Sequence, residues 1–324
     1  MSYEALQIGF YTPVASIPGI QNKIDSFTKL WISKYHSIPG KLDLYHYTGL
    51  DGVTGIITDR GMRCTSIHVQ KDIFEIKYGK DLILNQLNNF IEQEHNEIVK
   101  KILIELHKLC PSIGPTGPHK IFIACFCEKE NKPSQWEQYG AKGKGYNLYI
   151  PFNSKTVICS CKEKPEDIRR IIMRKVIYDP KEQIKIIGQY ISTFIDGIYH
   201  ALNYWELHMK KFGLSLEGLI ALSGVNLLGD MMISMKDPKH ENEEEWRMIR
   251  ILLPDEIPKP DDKIYSYIYQ RNSGIYEFPL QKINLGPITD KLKAKKYLEM
   301  FIEKSRTIPH TIKLKDKILI EHAR

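Results

Sequence analysis

An α+β fold, a single domain with a mainly helical insertion at about residues 181 to 235, is predicted by three features of this sequence. Strand-like segments occupy the first third and the last quarter of the chain, with helical periodicity concentrated between them. The segment "KIFIACFC" (120–127) is apolar at nearly every position, as a strand covered on both faces must be. Strict strand–helix alternation is absent, which argues against a doubly wound sheet.

The elements follow in order. "KLDLYHYTG" (41–49) reads as a strand closed by glycine, "LDGVTGIITDRGM" (50–62) as a short helix with a glycine stop, and "RCTSIHV" (63–69) as a second strand. From Asp81 to Cys110, Ile83, Leu87, Phe90, Ile91, Ile98, Ile102, Leu106 and Leu109 recur at helical spacing, which predicts one long amphipathic helix ended by "PSIGPTGP". "SQWEQY" (134–139) suits a short helix capped by Ser134 and stopped by Gly140. "YNLYIPF", "KTVICSC" and "IRRIIMRKVIYD" follow as strands, and residues 181 to 235 as helix broken near Gly213. Strands return in "EWRMIRILL" (245–253), in 263–286 with a hairpin turn at Asn272-Ser273-Gly274, and in "TIKLKDKILI" (311–320), with the helix "DKLKAKKYLEMFIEKSR" before the last.

Composition bounds the function classes. The hydrophobic fraction is 42% and the charged fraction 26%, close to globular averages, and 46 basic against 39 acidic residues give a net charge of +7. That balance suits an anionic ligand or nucleic acid, and equally a lysine-rich solvated surface. The start lacks a basic stretch followed by an apolar core, and the weakly charged run from Gly218 to Gly229 is too short to span a bilayer, so a cytoplasmic protein with no membrane partner is expected. The six cysteines include the pairs Cys125/Cys127 and Cys159/Cys161, whose one-residue gap is shorter than zinc sites use; free thiols and no metal are expected.

The stretch "GAKGKGY" (140–146) invites a phosphate-loop reading, and its spacing refuses it. A Walker loop needs four residues between its glycines and a hydroxyl after the lysine, and it must open a helix. Here the glycines follow a helix, whose C-terminal dipole disfavours anions. Two readings of the neighbouring aromatics stay open: Trp136 and Tyr139 pack the helix on the sheet, or one of them stacks on a planar ring. In "HENEEEWRMIR" (240–250), Glu243 and Glu245 are two apart and would share a face in extended conformation. A carboxylate there could hold a ribose hydroxyl and stabilise an oxocarbenium ion, or belong to a solvated acidic loop. His46, near the end of the first strand, is a candidate ligand contact or a structural histidine, and with Cys125 or Cys127 it would allow a thiol nucleophile.

Taken in order, "LYHYTGLDGVTGIITDRGMRCTSI", "KDIFE" (71–75), "ACFCEKENKPSQWEQYGAKGKGYNLYIPF", "EEEWR" and "INLGP" (283–287) resemble the prokaryotic family catalogued as domain of unknown function 2971. The sequence departs from that pattern at Lys71, where the family tends to have Asn, and at His240, where an aromatic is usual. The order of a strand-one His, a Ser with aromatics after a central strand and a late strand-opening Glu is also similar to the ADP-ribosyltransferase superfamily. That resemblance implies a split mixed sheet with NAD bound in its cleft, and glycosyl transfer to water or to a protein or nucleic-acid acceptor. It implies a catalytic set of Glu245, with Glu243 as its partner, and His46. It also implies a nucleotide-holding set of His46, Tyr47, Thr48, Ser134, Trp136, Tyr139 and Arg247, in an enzyme of a bacterial toxin or defence system. The competing expectations are a non-catalytic nucleotide or nucleic-acid-binding module and a protein-interaction domain.

Overall fold

The computed structural model describes residues 20–35, 40–66, 73–112, 120–153, 155–159, 171–208, 216–252, 264–272 and 275–323. Lys71, Cys161, the predicted helix break near Gly213 and the turn residues Ser273 and Gly274 lie outside them. In chain order the elements are α1 (Ile20–Tyr35), β1 (Lys41–Thr48), α2 (Leu50–Asp59), β2 (Gly61–Ser66), α3 (Ile73–Gln93), α4 (Glu97–Leu109), β3 (Lys120–Cys127), α5 (Pro133–Gln138) and β4 (Tyr146–Asn153). There follow β5 (Thr156–Cys159), β6 (Ile171–Lys175), α6 (Pro180–His208), α7 (Leu216–Ser234), β7 (Glu245–Leu252), β8 (Ile264–Asn272), β9 (Ile275–Phe278), β10 (Lys282–Leu285), α8 (Lys291–Arg306), β11 (Ile312–Leu314) and β12 (Leu319–His322). The α+β class and the helical segment between β6 and β7 are as the sequence predicts.

The sheet is mixed and curled, and β3 is its hub. Its order runs β11-β9-β8-β2-β3-β1-β4-β10-β12, with β7 on the far edge of β3 and β6 outside β7. β3 pairs with β7 along its whole length, from Lys120↔Leu252 to Cys127↔Glu245. Its other edge is shared: β2 meets it at Thr65↔Ile123 and Ser66↔Phe122, whereas β1 meets it only at Tyr45↔Cys127 before following β4. The sheet therefore splits between β1 and β2, beside the C-terminal half of β3.

Two cores lie on the two faces of this sheet. Residues of β3 and β7 alternate, so Ile121, Ile123 and Ile249 pack against the helices α1, α3, α4, α6 and α7. Phe126, Met248 and Trp246 face the opposite core with α2, α8 and strands β4, β8 and β10. α7 explains its weak periodicity by burial, since Ile220, Ala221, Leu228, Met231, Met232 and Ile233 are all covered. Its acidic residue, Asp230, is buried and takes two hydrogen bonds from Arg174 of β6, at 3.0 and 2.8 Å, and one from Trp31 Nε1 of α1 at 2.9 Å. That fork fixes the helical layer to the outer strand.

Three expectations are corrected, and one helix is added. The predicted helix over 81–110 is two helices, because the Asn96 side chain accepts from the Ile98 and Val99 amides and starts α4 afresh. α5 is capped at Lys132, not at Ser134, since Pro133 takes the first helical position, where its fixed φ fits and no amide is needed; Ser134 is exposed. The final strand is two: β11 lies parallel to β9 and β12 parallel to β10. The helix α1, with Ile20, Ile24, Phe27 and Trp31 buried at helical spacing, has no counterpart in the sequence reading.

Removing Asp230 strands a buried guanidinium, so Asp230→Ala is expected to cost about 3–5 kcal/mol in urea unfolding. Asp196→Ala, which breaks an exposed pair with Lys23 at 3.9 Å, should cost under about 1 kcal/mol in the same assay.

Candidate functional site

The residues singled out in the sequence gather around the C-terminal end of β3, on both faces of the sheet. In the β3–β7 register Cys127 opposes Glu245 and Cys125 opposes Arg247, and Tyr45 opposes Cys127 from β1. Tyr45, Cys125, Cys127, Glu245 and Arg247 thus share one face. His46 projects to the other, its ring 5.7 Å from that of Phe126.

The centre of the first face is a buried ion network. Lys236, at the end of the helical segment, donates from Nζ to Glu243 Oε2 at 2.5 Å and to Glu245 Oε2 at 3.2 Å. Arg247 grips Glu245 through Nε, at 2.8 Å, and Nη2, at 3.1 Å, and donates from Nη1 to the Ile233 carbonyl at 2.6 Å. His240 Nδ1 lies 3.0 Å from Glu243 Oε1. Burial by itself would push the Glu245 carboxyl up; the charges of Arg247 and Lys236, with hydrogen bonds from Arg247 and the Cys125 thiol, outweigh it and hold the group at about 2. Glu245 is therefore a carboxylate at every physiological pH.

Glu243 and Glu245 converge for a reason other than the extended geometry the sequence suggested. Glu243 ends a 3-10 turn, Pro238–Glu243, and Glu244 caps it in the left-handed region with φ 46°. This reversal puts residues 243 and 245 on either side of Lys236. Glu244 itself turns outward, 3.1 Å from Lys132 Nζ and 3.6 Å from Lys129 Nζ. Its amide neighbour, Glu245 N, donates to the Tyr178 hydroxyl at 3.2 Å.

The aromatics divide by exposure. Trp136 is 3% exposed, meets the Tyr47 ring edge-on at 4.9 Å and donates from Nε1 to Asn131 Oδ1 at 2.8 Å. Tyr47 in turn holds the 129–132 loop: its hydroxyl lies 2.9 Å from the Lys129 carbonyl and 2.8 Å from that of Glu130, and accepts from the Lys132 amide at 3.1 Å. Both side chains are engaged in building the loop. Tyr139 is 49% exposed. Burial first, and then the charge of Glu243, push its hydroxyl up in pKa.

His46 occupies the split. Its Nδ1 is 2.8 Å from the Cys125 carbonyl, an acceptor that β1 would have covered had it stayed on β3. A carbonyl cannot donate, so Nδ1 carries the proton; burial lowers the ring's pKa, and in the neutral ring Nε2 offers a lone pair. Thr48, the last residue of β1, opposes Tyr146 of β4.

The glycine-lysine stretch is a backbone junction. Gly145 N donates to the Gly140 carbonyl at 2.8 Å, Gly286 N to Gly145 O at 2.9 Å and Ile288 N to Gly143 O at 3.0 Å. A Cβ on Gly145 would stand 2.4 Å from the Thr48 carbonyl, and one on Gly286 2.3 Å from that of Gly143. Close approach of three chain segments, not an anion, requires these glycines.

Sequence reasoning missed Lys236, Tyr178 and Cys125 as members of the network. Lys236 lies in "SMKDPKH", which reads as a polar turn; its burial depends on partners brought in by β7. Among the described residues no group of three or more His, Cys, Asp or Glu side chains is placed to hold a metal, and no helix is long and apolar enough to cross a membrane.

A carboxyl held at about 2 against an ordinary value of 4.5 stabilises the fold above pH 4.5, and that contribution is lost as pH falls through about 2. Urea midpoints measured between pH 6 and pH 2.5 should therefore fall less steeply at the acid end in Glu245→Gln than in the wild type. Trp136→Ala should cost about 3–5 kcal/mol and Tyr139→Ala under about 1, by the same unfolding measurement.

No curated protein and no solved structure matches the chain. A family model does: residues 135–248, from α5 through the helical segment to the middle of β7, match the model of the family described as Protein of unknown function (DUF2971).

Proposed function

We propose that the chain is an ADP-ribosyltransferase-like enzyme that breaks the nicotinamide–ribose bond of NAD, with Glu245 as the carboxylate that stabilises the reaction. The observation that carries this reading is the Glu245 side chain, held ionised at the start of β7 by Arg247 and Lys236. In the reaction the C1′–N bond breaks and its electron pair leaves with neutral nicotinamide. The ribosyl carbon gains oxocarbenium character, and water or an acceptor hydroxyl adds to it and loses a proton. A fixed carboxylate lowers the energy of that cation by about 3 kcal/mol or more.

The remaining residues divide the work. Tyr139 offers a flat face for the nicotinamide ring. His46 Nε2, in the split between β1 and β3, is an acceptor for a ribose hydroxyl. Arg247 and Lys236 orient Glu245, and Glu243 shares Lys236 with it. Tyr47 and Trp136 contribute through the loop they hold. Setting such an enzyme in a bacterial toxin or defence system follows from the superfamily resemblance alone.

A second reading has its own observation: Glu245 is engaged by two cations at once, which fits a structural anchor in a module that binds a nucleotide without turning it over. The two part on one variant. Glu245→Gln should keep the thermal shift given by NAD and lose NAD turnover by a factor of about a hundred or more. Turnover unchanged in Glu245→Gln overturns the catalytic assignment. An NAD-induced shift with no turnover in wild type supports the binding module.

A further inference from the structure

Against the glycine junction, the start of α8 builds a surface that nothing in the proposed chemistry uses. Ile288, whose amide is tied to Gly143, is 65% exposed, and Leu292 in the first turn of α8 is 81% exposed. The inward face of α8 is set by Leu298, Ile302 and Ser305, all buried. At helical spacing Leu292, Lys293, Lys296 and Met300, the last 66% exposed, fall on the opposite face. Lys142 and Lys144 flank Gly143 on the adjoining loop, and Lys291 and Lys295 complete the ring; all six lysines are exposed.

The charge on this patch is uncompensated. Among the described residues, Lys295 has an ion partner, Glu299 at 4.0 Å, and the other five lysines have none within that distance. Asp290 is committed to capping α8, accepting from the Lys293 amide at 3.2 Å. Against Asp290 and Glu299 the six lysines leave an excess of four positive charges. Lysines around protruding aliphatic side chains match the boundary of an anionic bilayer, where the amines meet headgroup charge and the aliphatics enter the acyl edge. A nucleic-acid backbone would reward the lysines and leave Ile288, Leu292 and Met300 in water.

We propose that this patch docks the protein on the surface of a membrane containing anionic lipid. No spanning segment is needed, so the argument from the sequence against a membrane partner, which concerned spans, does not bear on it. The inference stands independently of the reading of Glu245.

Co-sedimentation of the full chain with vesicles tests it. Binding to phosphatidylcholine vesicles carrying about 30% phosphatidylserine should be at least about tenfold stronger than to phosphatidylcholine alone, and should fall as NaCl rises from about 0.1 to about 0.5 M. Lys291→Glu/Lys293→Glu/Lys296→Glu should abolish it, and Ile288→Ser/Leu292→Ser, which leaves every charge in place, should weaken it about tenfold or more. Both variants change exposed side chains, and an unchanged melting temperature checks their folding. Absence of vesicle binding, or equal binding to neutral vesicles, overturns the proposal. So does indifference to the aliphatic variant, or displacement from vesicles by RNA or duplex DNA that binds the same lysines more tightly.

Discussion

The buried pairing of Lys236 with Glu243 and Glu245, closed by Arg247, is the constraint on which the rest of this structure depends. Four charged side chains taken out of water would each cost several kcal/mol if left alone, so their positions are mutually compulsory. The chain segments that carry them are then fixed too. Lys236 follows the end of α7, Glu243 ends the 3-10 turn, and Glu245 and Arg247 open β7. Arg247 reaches back to the Ile233 carbonyl of α7, so one side chain joins the helical layer to the sheet. The Arg174–Asp230 fork, with Trp31 added, repeats the device at the outer strand β6.

This arrangement also sets the chemistry available. A carboxylate that must stay ionised beside an apolar core needs cations, and the cations that hold it reduce the field it presents to a ligand. The network contains two carboxylates and two permanent cations, with His240 at its rim. What Glu245 can offer a developing positive charge is therefore preorganisation more than net negative potential. Tyr139 is half-exposed, whereas Glu243, Glu245, Lys236 and Arg247 are all buried. His46 lies on the opposite face, its Nδ1 held by the Cys125 carbonyl near the single residue at which β1 pairs with β3.

Much of this was legible in the residues, and the failures have physical causes. The apolar run 120–127 announced a strand covered on both faces, and it proved to be the hub. Glu243 and Glu245 were recognised as a pair, although the left-handed Glu244, not an extended backbone, brings them together. The break at Asn96 could have been read from its capping side chain, since Asn favours a helix start, and α1 from the i, i+4, i+7 spacing of Ile20, Ile24 and Phe27. The burial of Lys236 could not have been read. A lysine in a polar turn becomes a core residue only when a 3-10 turn and a strand fold back to supply carboxylates seven and nine positions later, and the sharing of one edge of β3 by β1 and β2 is a long-range fact. The glycines of the glycine-lysine run serve the junction with residues 286–288.

The most direct measurement is the rate at which the purified wild-type protein releases free nicotinamide from NAD, followed by chromatography between pH 7 and pH 9. With Glu245 ionised well below this range and burial lowering the His46 ring from its ordinary 6.5, release should occur and stay nearly level across it. No nicotinamide at any pH, or a rate that rises and falls about a midpoint inside the window, would contradict the assignment of Glu245 as a permanently ionised catalytic carboxylate.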